Sequence, residues 1–309
     1  MSPAPSTEYS STDDARAYAH FVAGFFAEAT GRLDVAAELY TTAIRLDSNY
    51  HKALNNRGLL MQGEGAALYV TRTDDARTRQ LLDDASGLFA RAKVLKGVAE
   101  YHYNYATTLR YLGRLERRAG RPPEALKRQI QSIAAYNEAL VAVDSEIASV
   151  DEPAQRRWWR RRPRVDRERY RSERQGFKRS IQLALAISWV LRRELEGKTE
   201  PAPEEQAALN DVYMAFTGPR TEPSDPKLKL EYNFACYCAV TKDREQAVSL
   251  FLTLRAVTPD LAWVVLADPD LADIPEIIAL FTPATAAAPA VHQPVATDAD
   301  DDPDRDEPT

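Results

Sequence analysis

Residues 17–50 carry the clearest pattern of apolar and polar positions in the chain, and this pattern predicts two short helices around one turn. Small residues stand where the two helices must cross closely, and these are Gly24, Ala36 and Ala43. Gly31 stands at the predicted turn, where glycine adopts a positive φ most easily. The bulky residues of the seam are Phe21, Phe25, Leu33, Tyr40 and Leu46. Such a hairpin cannot bury its apolar face alone, so stacked neighbours are expected.

Later parts of the chain repeat this pattern with changes. In a second copy, Gly58 takes the place of Gly24, and Phe89 takes the place of Tyr40. Residues 66–78 separate the helices of this copy, and they are either an insertion or a helix extension. A third copy begins at Ala99 with longer helices, and a late copy begins at Leu228. No run of alternating β-branched residues is convincing, so the chain is predicted to be all-α.

A 34-residue unit with this spacing of small and aromatic residues resembles the tetratricopeptide repeat (TPR). The resemblance covers roughly residues 17–144 and 228–281. It implies an all-α, TPR-like right-handed α-solenoid of antiparallel helix pairs. The departures from the repeat add a long helical-hairpin insertion to this expectation.

Six regions are expected along the chain. They are a disordered N-terminus (1–12), N-terminal TPR-like repeats (13–150), an arginine-rich long helical insertion (151–200), a short helix with a proline-rich connector (201–227), a C-terminal repeat with closing helices (228–281) and a disordered acidic tail (282–309). A helix start is expected at Ser11 or Thr12, because both residue types favour the N-cap.

Composition adds bounds to this picture. Hydrophobic residues make up 44% of 309 residues, and glycine occurs only 12 times, which favours helix. The N-terminus has no apolar core for export, and no apolar run is long enough to span a membrane. Cys236 and Cys238 point apart on a helix and are expected to be buried small residues rather than a redox pair. These features predict a soluble, cytoplasmic protein.

The resemblance implies a partner-binding groove lined by the first helix of each pair. The residues carried over to the groove positions and expected to contact a partner are Tyr18, Lys52, Asn55, Leu59, Gln62, Tyr103, Thr107, Arg110, Lys229 and Tyr232. Phe21, Phe25 and Cys236 also fall at groove positions. Such a surface fits a peptide or a helix of a partner protein. The alternative for Phe21, Phe25 and Tyr103 is plain packing against neighbouring helices.

A basic segment, residues 156–179, is the second candidate site. It holds twelve basic and three acidic residues, a local charge of +9 in a chain of net charge −6. The basic patch proper is Arg156, Arg157, Trp158, Trp159, Arg160, Arg161, Arg162 and Arg164. Arginines and aromatic residues together suit a nucleic acid or a phosphorylated ligand. The alternatives are a solvated helix face, an acidic protein partner, and the chain's own acidic tail.

Catalytic and metal motifs are absent from the sequence. The four histidines, His20, His51, His102 and His292, show no metal-ligand spacing. No zinc-protease, dinucleotide or phosphate-loop motif occurs. The sequence therefore predicts no enzyme, no cofactor and no metal. The expected function is a protein–protein interaction scaffold or regulatory adaptor, and the alternative is a nucleic-acid-associated adaptor that uses residues 156–179.

Overall fold

A computed structural model describes residues 8–150, 164–217, 227–241, 243–257, 261–266, 268–272 and 274–282. Within these ranges the chain forms helices joined by short turns, and no strand is present in them. None of the described helices is long and apolar enough to cross a membrane.

The N-terminal half consists of three antiparallel helix pairs. The helices are α1 (Glu8–Ala29), α2 (Leu33–Leu46), α3 (His51–Thr71), α4 (Asp75–Leu95), α5 (Ala99–Arg118) and α6 (Pro122–Ser149). Gly31 lies in the turn between α1 and α2, and Gly120 lies in the turn between α5 and α6. Their φ values of 76° and 70° fall in the left-handed region that favours glycine. At the start of α4, the Asp74 side chain accepts a hydrogen bond from the Arg77 backbone N–H at 2.8 Å.

One helix boundary differs from the sequence-based expectation, and a second decides between two expected alternatives. Helix α1 begins at Glu8, before the expected caps at Ser11 and Thr12, and an acidic residue suits the first turn of a helix. Residues 66–78 prove to be a helix extension, since α3 continues to Thr71 and α4 begins at Asp75. Arg72, with a φ of 54°, makes the tight turn between them.

In each of the first two pairs, a glycine of one helix packs against an aromatic ring of the other helix. A Cβ atom added to Gly24 would lie 2.7 Å from the Tyr40 ring, and one added to Gly58 would lie 2.8 Å from the Phe89 ring. Tyr40 and Phe89 are fully buried, and so is Tyr136 of α6. The predicted small and aromatic positions therefore bring these helices into close contact.

The C-terminal half continues the series. Its helices are α7 (Arg164–Leu195), α8 (Pro203–Thr217), α9 (Lys227–Val240), α10 (Arg244–Val257), α11 (Leu261–Leu266) and α12 (Pro275–Phe281). The sequence set residues 151–200 apart as an insertion. In the structure α7 packs against α6, α8 and α9, in the way that the first helix of a fourth pair would.

Helix α7 joins the two main cores because it is apolar on two sides. Ile181 and Leu185 pack with α6, while Ile187 and Val190 pack with α9 and α10. Cys236 and Cys238 are free and buried in the second of these cores, which confirms the prediction for both residues.

Candidate interaction site

Helices α3 and α5 are joined by a row of polar contacts, called here the α3–α5 polar contact. Its members are His51, Asn55 and Gln62 of α3 and Tyr101, Asn104 and Thr108 of α5. The Asn104 amide donates to the Asn55 Oδ1 at 2.9 Å. Gln62 Nε2 donates to the Thr108 hydroxyl at 2.7 Å and to the Asn104 carbonyl at 3.2 Å. The predicted groove residues Asn55 and Gln62 therefore hold two helices together.

The third link of the α3–α5 polar contact joins a histidine to a tyrosine. His51 Nδ1 lies 2.8 Å from the Tyr101 hydroxyl. Burial raises the pKa of Tyr101 to about 12, with smaller contributions from Glu100 and Tyr50. Burial also lowers the pKa of His51, and Lys52 and Lys96 add to this effect. The pair is thus electrically neutral at neutral pH, with the phenol as a donor to the imidazole.

Other predicted groove residues have different surroundings. Tyr18 is 59% exposed, Lys52 is exposed and Leu59 is half-buried. Tyr103 packs against Tyr136 and Phe177, with ring centroids 5.7 and 5.3 Å apart. Thr107 is buried, and its hydroxyl lies 2.9 Å from the hydroxyl of Tyr136. The Lys229 side chain lies outside the described residues.

Arg110 of α5 is buried against the turn between α11 and α12, called here the aspartate turn (residues 268–272). Its Nη2 lies 2.9 Å from the Asp270 Oδ2, and the Arg114 Nη2 lies 3.2 Å from the Asp270 Oδ1. All three side chains are buried. Burial alone would lower the pKa of Arg110, but Asp270 raises it, so the guanidinium keeps its charge.

These arginines retain unused donors. Among the described residues, the Nε and Nη1 atoms of Arg110 and the Nε atom of Arg114 have no hydrogen-bond partner. A buried N–H without a partner is costly, and a charged one more so. These N–H groups at the C-terminal end of α5 can therefore donate hydrogen bonds to oxygen atoms of a ligand.

The aspartate turn is held in place by α9 as well. The Tyr232 hydroxyl donates to the Asp268 Oδ2 at 2.6 Å, and the Asp270 N–H donates to the Asp268 Oδ1 at 2.7 Å. Burial and the nearby Asp270 raise the pKa of Asp268, and burial with the charge of Asp268 raises that of Cys236. Tyr232, predicted to face a partner, thus binds a segment of its own chain.

A small cavity of about 130 Å³ lies where these residues meet. Its polar lining comprises Tyr103, Arg110, Tyr111, Ser180, Cys236, Asp268 and Asp270. Groove residues of the third and the late copies of the repeat, far apart in sequence, therefore converge on one place. The space equals that of about four water molecules, so it suits one small polar group rather than a peptide.

A larger cleft of about 460 Å³ opens on the other side of Asp270, and we call it the arginine cleft. It is lined by Arg72, Arg114, Arg117, Arg118, Leu191, Glu194, Ala239, Val240, Arg244, Asp270 and Ile274. Five arginines and two acids give this lining a formal charge of +3. Such a cleft attracts anionic groups and can bind carboxylates with paired N–H donors.

The arginines of the cleft differ in how firmly they are held. Arg118 donates to the Tyr69 carbonyl at 2.8 Å, lies 4.1 Å from the centroid of the Tyr69 ring and pairs with Asp75. Arg117 pairs with Glu194 at 2.8 Å, and Arg244 pairs with Glu276. The side chains of Arg117 and Arg244 remain 51% and 50% exposed. A ligand can reach these two arginines at the surface, where it would compete with Glu194 and Glu276.

Sequence reasoning selected Arg110 but missed the arginine cleft. Arg114, Arg117 and Arg118 follow Arg110 at spacings of four, seven and eight, which place all four near one face of a helix. That spacing was the available signal. Arg72 and Arg244 carry no local signal, because only the packing of α3 and α10 brings them to this face.

Residues 156–163 of the basic patch lie outside the described residues, as does the side chain of Arg164. The described part of the basic segment is paired with acids: Arg174 binds Glu100 and Glu146, and Lys178 lies 2.6 Å from Asp144. These pairs consume part of the local positive charge. Binding of a nucleic acid by residues 156–179 stays a prediction.

Searches with family models and among curated proteins found no match for this sequence. Among solved structures, the chain is similar to YrrB, whose crystal structure is described as that of a TPR protein with an unusual peptide-binding site. The two chains are 14% identical, over 80% of this chain and 88% of that chain, with a TM-score of 0.31. So low a score adds nothing to the fold, which rests on the helix packing described above.

The described residues define an all-α protein of antiparallel, TPR-like helix pairs, which confirms the predicted resemblance and fold class. The right-handed sense of the solenoid stays a prediction. In the described ranges, no group of three or more His, Cys, Asp or Glu residues is arranged to hold a metal ion.

Proposed function

We propose that this protein is a non-catalytic interaction adaptor that binds an acidic segment of a partner protein in the arginine cleft. One observation carries this proposal: three arginines of α5 and two from distant parts of the chain converge on a cleft of about 460 Å³ whose lining holds two acids. The volume falls in the range of ligand-binding clefts and suits a few residues of a peptide.

The arginine cleft is not lined by any of the ten residues that the repeat predicts to contact a partner. Asn55, Gln62 and Thr107 bind neighbouring helices, so a partner gains little from them. Beyond Arg110 the same helix presents Arg117, which is half exposed and paired with Glu194. Surface ion pairs of this kind are worth about 0–1 kcal/mol, so a partner's carboxylate can replace Glu194 at small cost.

The test uses a fluorescein-labelled synthetic peptide of alternating Glu and Ser residues, with its Gln/Ser counterpart as the uncharged probe. We expect the full chain to bind the acidic peptide, and binding to weaken from 0.05 to 0.3 M salt. The Arg117→Ala/Arg244→Ala variant should bind roughly tenfold more weakly, about 1.4 kcal/mol. Fluorescence anisotropy measures both affinities.

A matched control removes two arginines outside the cleft. Arg16 and Arg77 are exposed and paired with Asp13 and Glu64, so Arg16→Ala/Arg77→Ala changes the net charge equally. Equal loss in both double variants would mean unspecific attraction and would refute the cleft. A single-stranded oligonucleotide that binds more tightly than the peptide, through Arg160 to Arg162, would favour the nucleic-acid alternative.

A further inference from the structure

The tripeptide Asp-Pro-Asp occurs twice in this chain, at residues 268–270 and at residues 302–304. The first copy is part of the aspartate turn and is bound to the arginines of α5. Asp270 lies 2.9 Å from Arg110 and 3.2 Å from Arg114, and Arg114 Nη1 donates to the Pro269 carbonyl at 3.4 Å. In the first copy, one aspartate and the proline carbonyl of the tripeptide therefore bind two buried arginines of α5, Arg110 and Arg114.

The second copy belongs to a strongly acidic segment. Residues 298–309 hold seven acids and one arginine, a formal charge of −6, while the lining of the arginine cleft carries +3. Arginine N–H groups bind carboxylates more tightly than they bind neutral acceptors. Charge therefore matches the acidic segment to the cleft, and within this segment residues 302–304 repeat the tripeptide that already binds two arginines of α5.

The acidic segment is also tethered beside the cleft. Helix α12 runs from Pro275 to Phe281, and Ile274, which precedes its first residue, lines the cleft. Glu276 of the same helix pairs with Arg244. Fifteen residues, 283–297, separate Thr282 from Asp298, the first residue of the acidic segment, and a chain of that length reaches at most roughly 55 Å. A seven-residue helix is only about 10 Å long, so this reach is ample.

We propose that residues 302–304 bind in the arginine cleft at Arg117 and Arg244 and so compete with the acidic segment of a partner. This inference rests on the function proposed above, since it concerns the same cleft. Arg117 and Arg244 are half exposed, and each exchanges one surface carboxylate for another. Arg110 and Arg114 stay with the buried Asp270, so the first copy is not displaced.

The experiment measures binding of two labelled probes to the full chain: a synthetic peptide of residues 298–309 and the Glu/Ser peptide. The test variant is Asp302→Asn/Asp304→Asn. The matched variant is Asp298→Asn/Asp300→Asn, which makes the same charge change outside the tripeptide. A tethered competitor acts at an effective concentration of about 1 mM, so we expect on the order of tenfold tighter binding of both probes by the test variant. The matched variant should stay within about twofold of the parent.

Each other outcome has a definite meaning. Equal affinities of the parent and both variants would overturn the competition, and the proposed function would stand if Arg117→Ala/Arg244→Ala still weakens the Glu/Ser peptide. Equal gains in both Asn variants would overturn the role of the tripeptide in favour of net charge. Binding of the Glu/Ser peptide but not of the 298–309 peptide would also overturn the inference alone. No binding of either probe by any variant would sink the proposed function with it.

Discussion

Helix α5 makes two polar contacts that follow different physical rules. Its N-terminal half meets α3 through the α3–α5 polar contact, which uses amide, hydroxyl and imidazole groups, such as the 2.9 Å bond between Asn104 and Asn55. Its C-terminal half meets the aspartate turn through Arg110, Arg114 and Asp270. One helix thus carries a neutral contact at Asn104 and a buried ionic contact that begins at Arg110, less than two turns away.

The difference shows which half is suited to binding. Neutral side chains that satisfy one another need no further partner, and they act as part of the framework. Two buried guanidinium groups that share one carboxylate keep unused donors, at Arg110 Nε and Nη1 and at Arg114 Nε. We therefore expect α5 to be structural near Asn104 and to favour ligands from Arg110 onward.

Breaking the ionic contact should have the largest effect on stability. The Asp270→Ala variant leaves Arg110 and Arg114 buried without their carboxylate, which should lower the free energy of unfolding by about 3–5 kcal/mol. Urea unfolding followed by circular dichroism measures the loss. The control is Asp211→Ala on α8, an exposed position, which should change stability by less than about 0.5 kcal/mol.

A double variant sharpens this first prediction. Adding Arg110→Met to Asp270→Ala removes one of the two stranded charges, so part of the lost stability should return. If the double variant is as unstable as the sum of the two single variants, the charges do not interact, and the ionic contact contributes only packing.

Breaking the neutral contact should have a smaller effect. In Asn104→Ala the Oδ1 of the buried Asn55 loses its donor, which should cost about 1–2 kcal/mol, while the bonds of Gln62 to the Asn104 carbonyl and Thr108 remain. Gln206→Ala removes an exposed hydrogen bond within α8 and serves as the control. A loss as large as that of Asp270→Ala, in the same urea assay, would erase the distinction between the two halves of α5.

The smallest effect concerns pH and tests whether the first contact is neutral. Burial holds the pKa of His51 below its ordinary value of 6.5, so the unfolded chain binds a proton more readily than the folded chain. The contribution of His51 to the free energy of unfolding should therefore be fully present above about pH 7, and it should fall as the pH is lowered through 6.5. Thermal unfolding between pH 5 and 8 checks this. The His51→Gln variant should show a shallower fall, and an unchanged slope would contradict the assignment.

Sequence reasoning succeeded for the helix pairs because their signals are local. Gly24 and Tyr40, or Gly58 and Phe89, belong to neighbouring helices, and their spacing follows from helix geometry and one turn. It was incomplete for the site because the decisive contacts are remote. Asp270 meets Arg110 across 160 positions, so no local pattern announces that a predicted groove residue is already bound by its own chain.

The sequence by itself determined the helix pairs, their small and aromatic seam positions, the buried cysteines and the uneven charge of the chain. Periodicity and composition are properties of neighbouring residues, so they can be inferred without coordinates. Only the tertiary structure decided that α7 packs within the series, that Tyr232 binds Asp268, and that Arg72 and Arg244 join Arg117 in one cleft. The stacking of distant helices brings those side chains together, and that stacking depends on the buried surfaces of the whole chain.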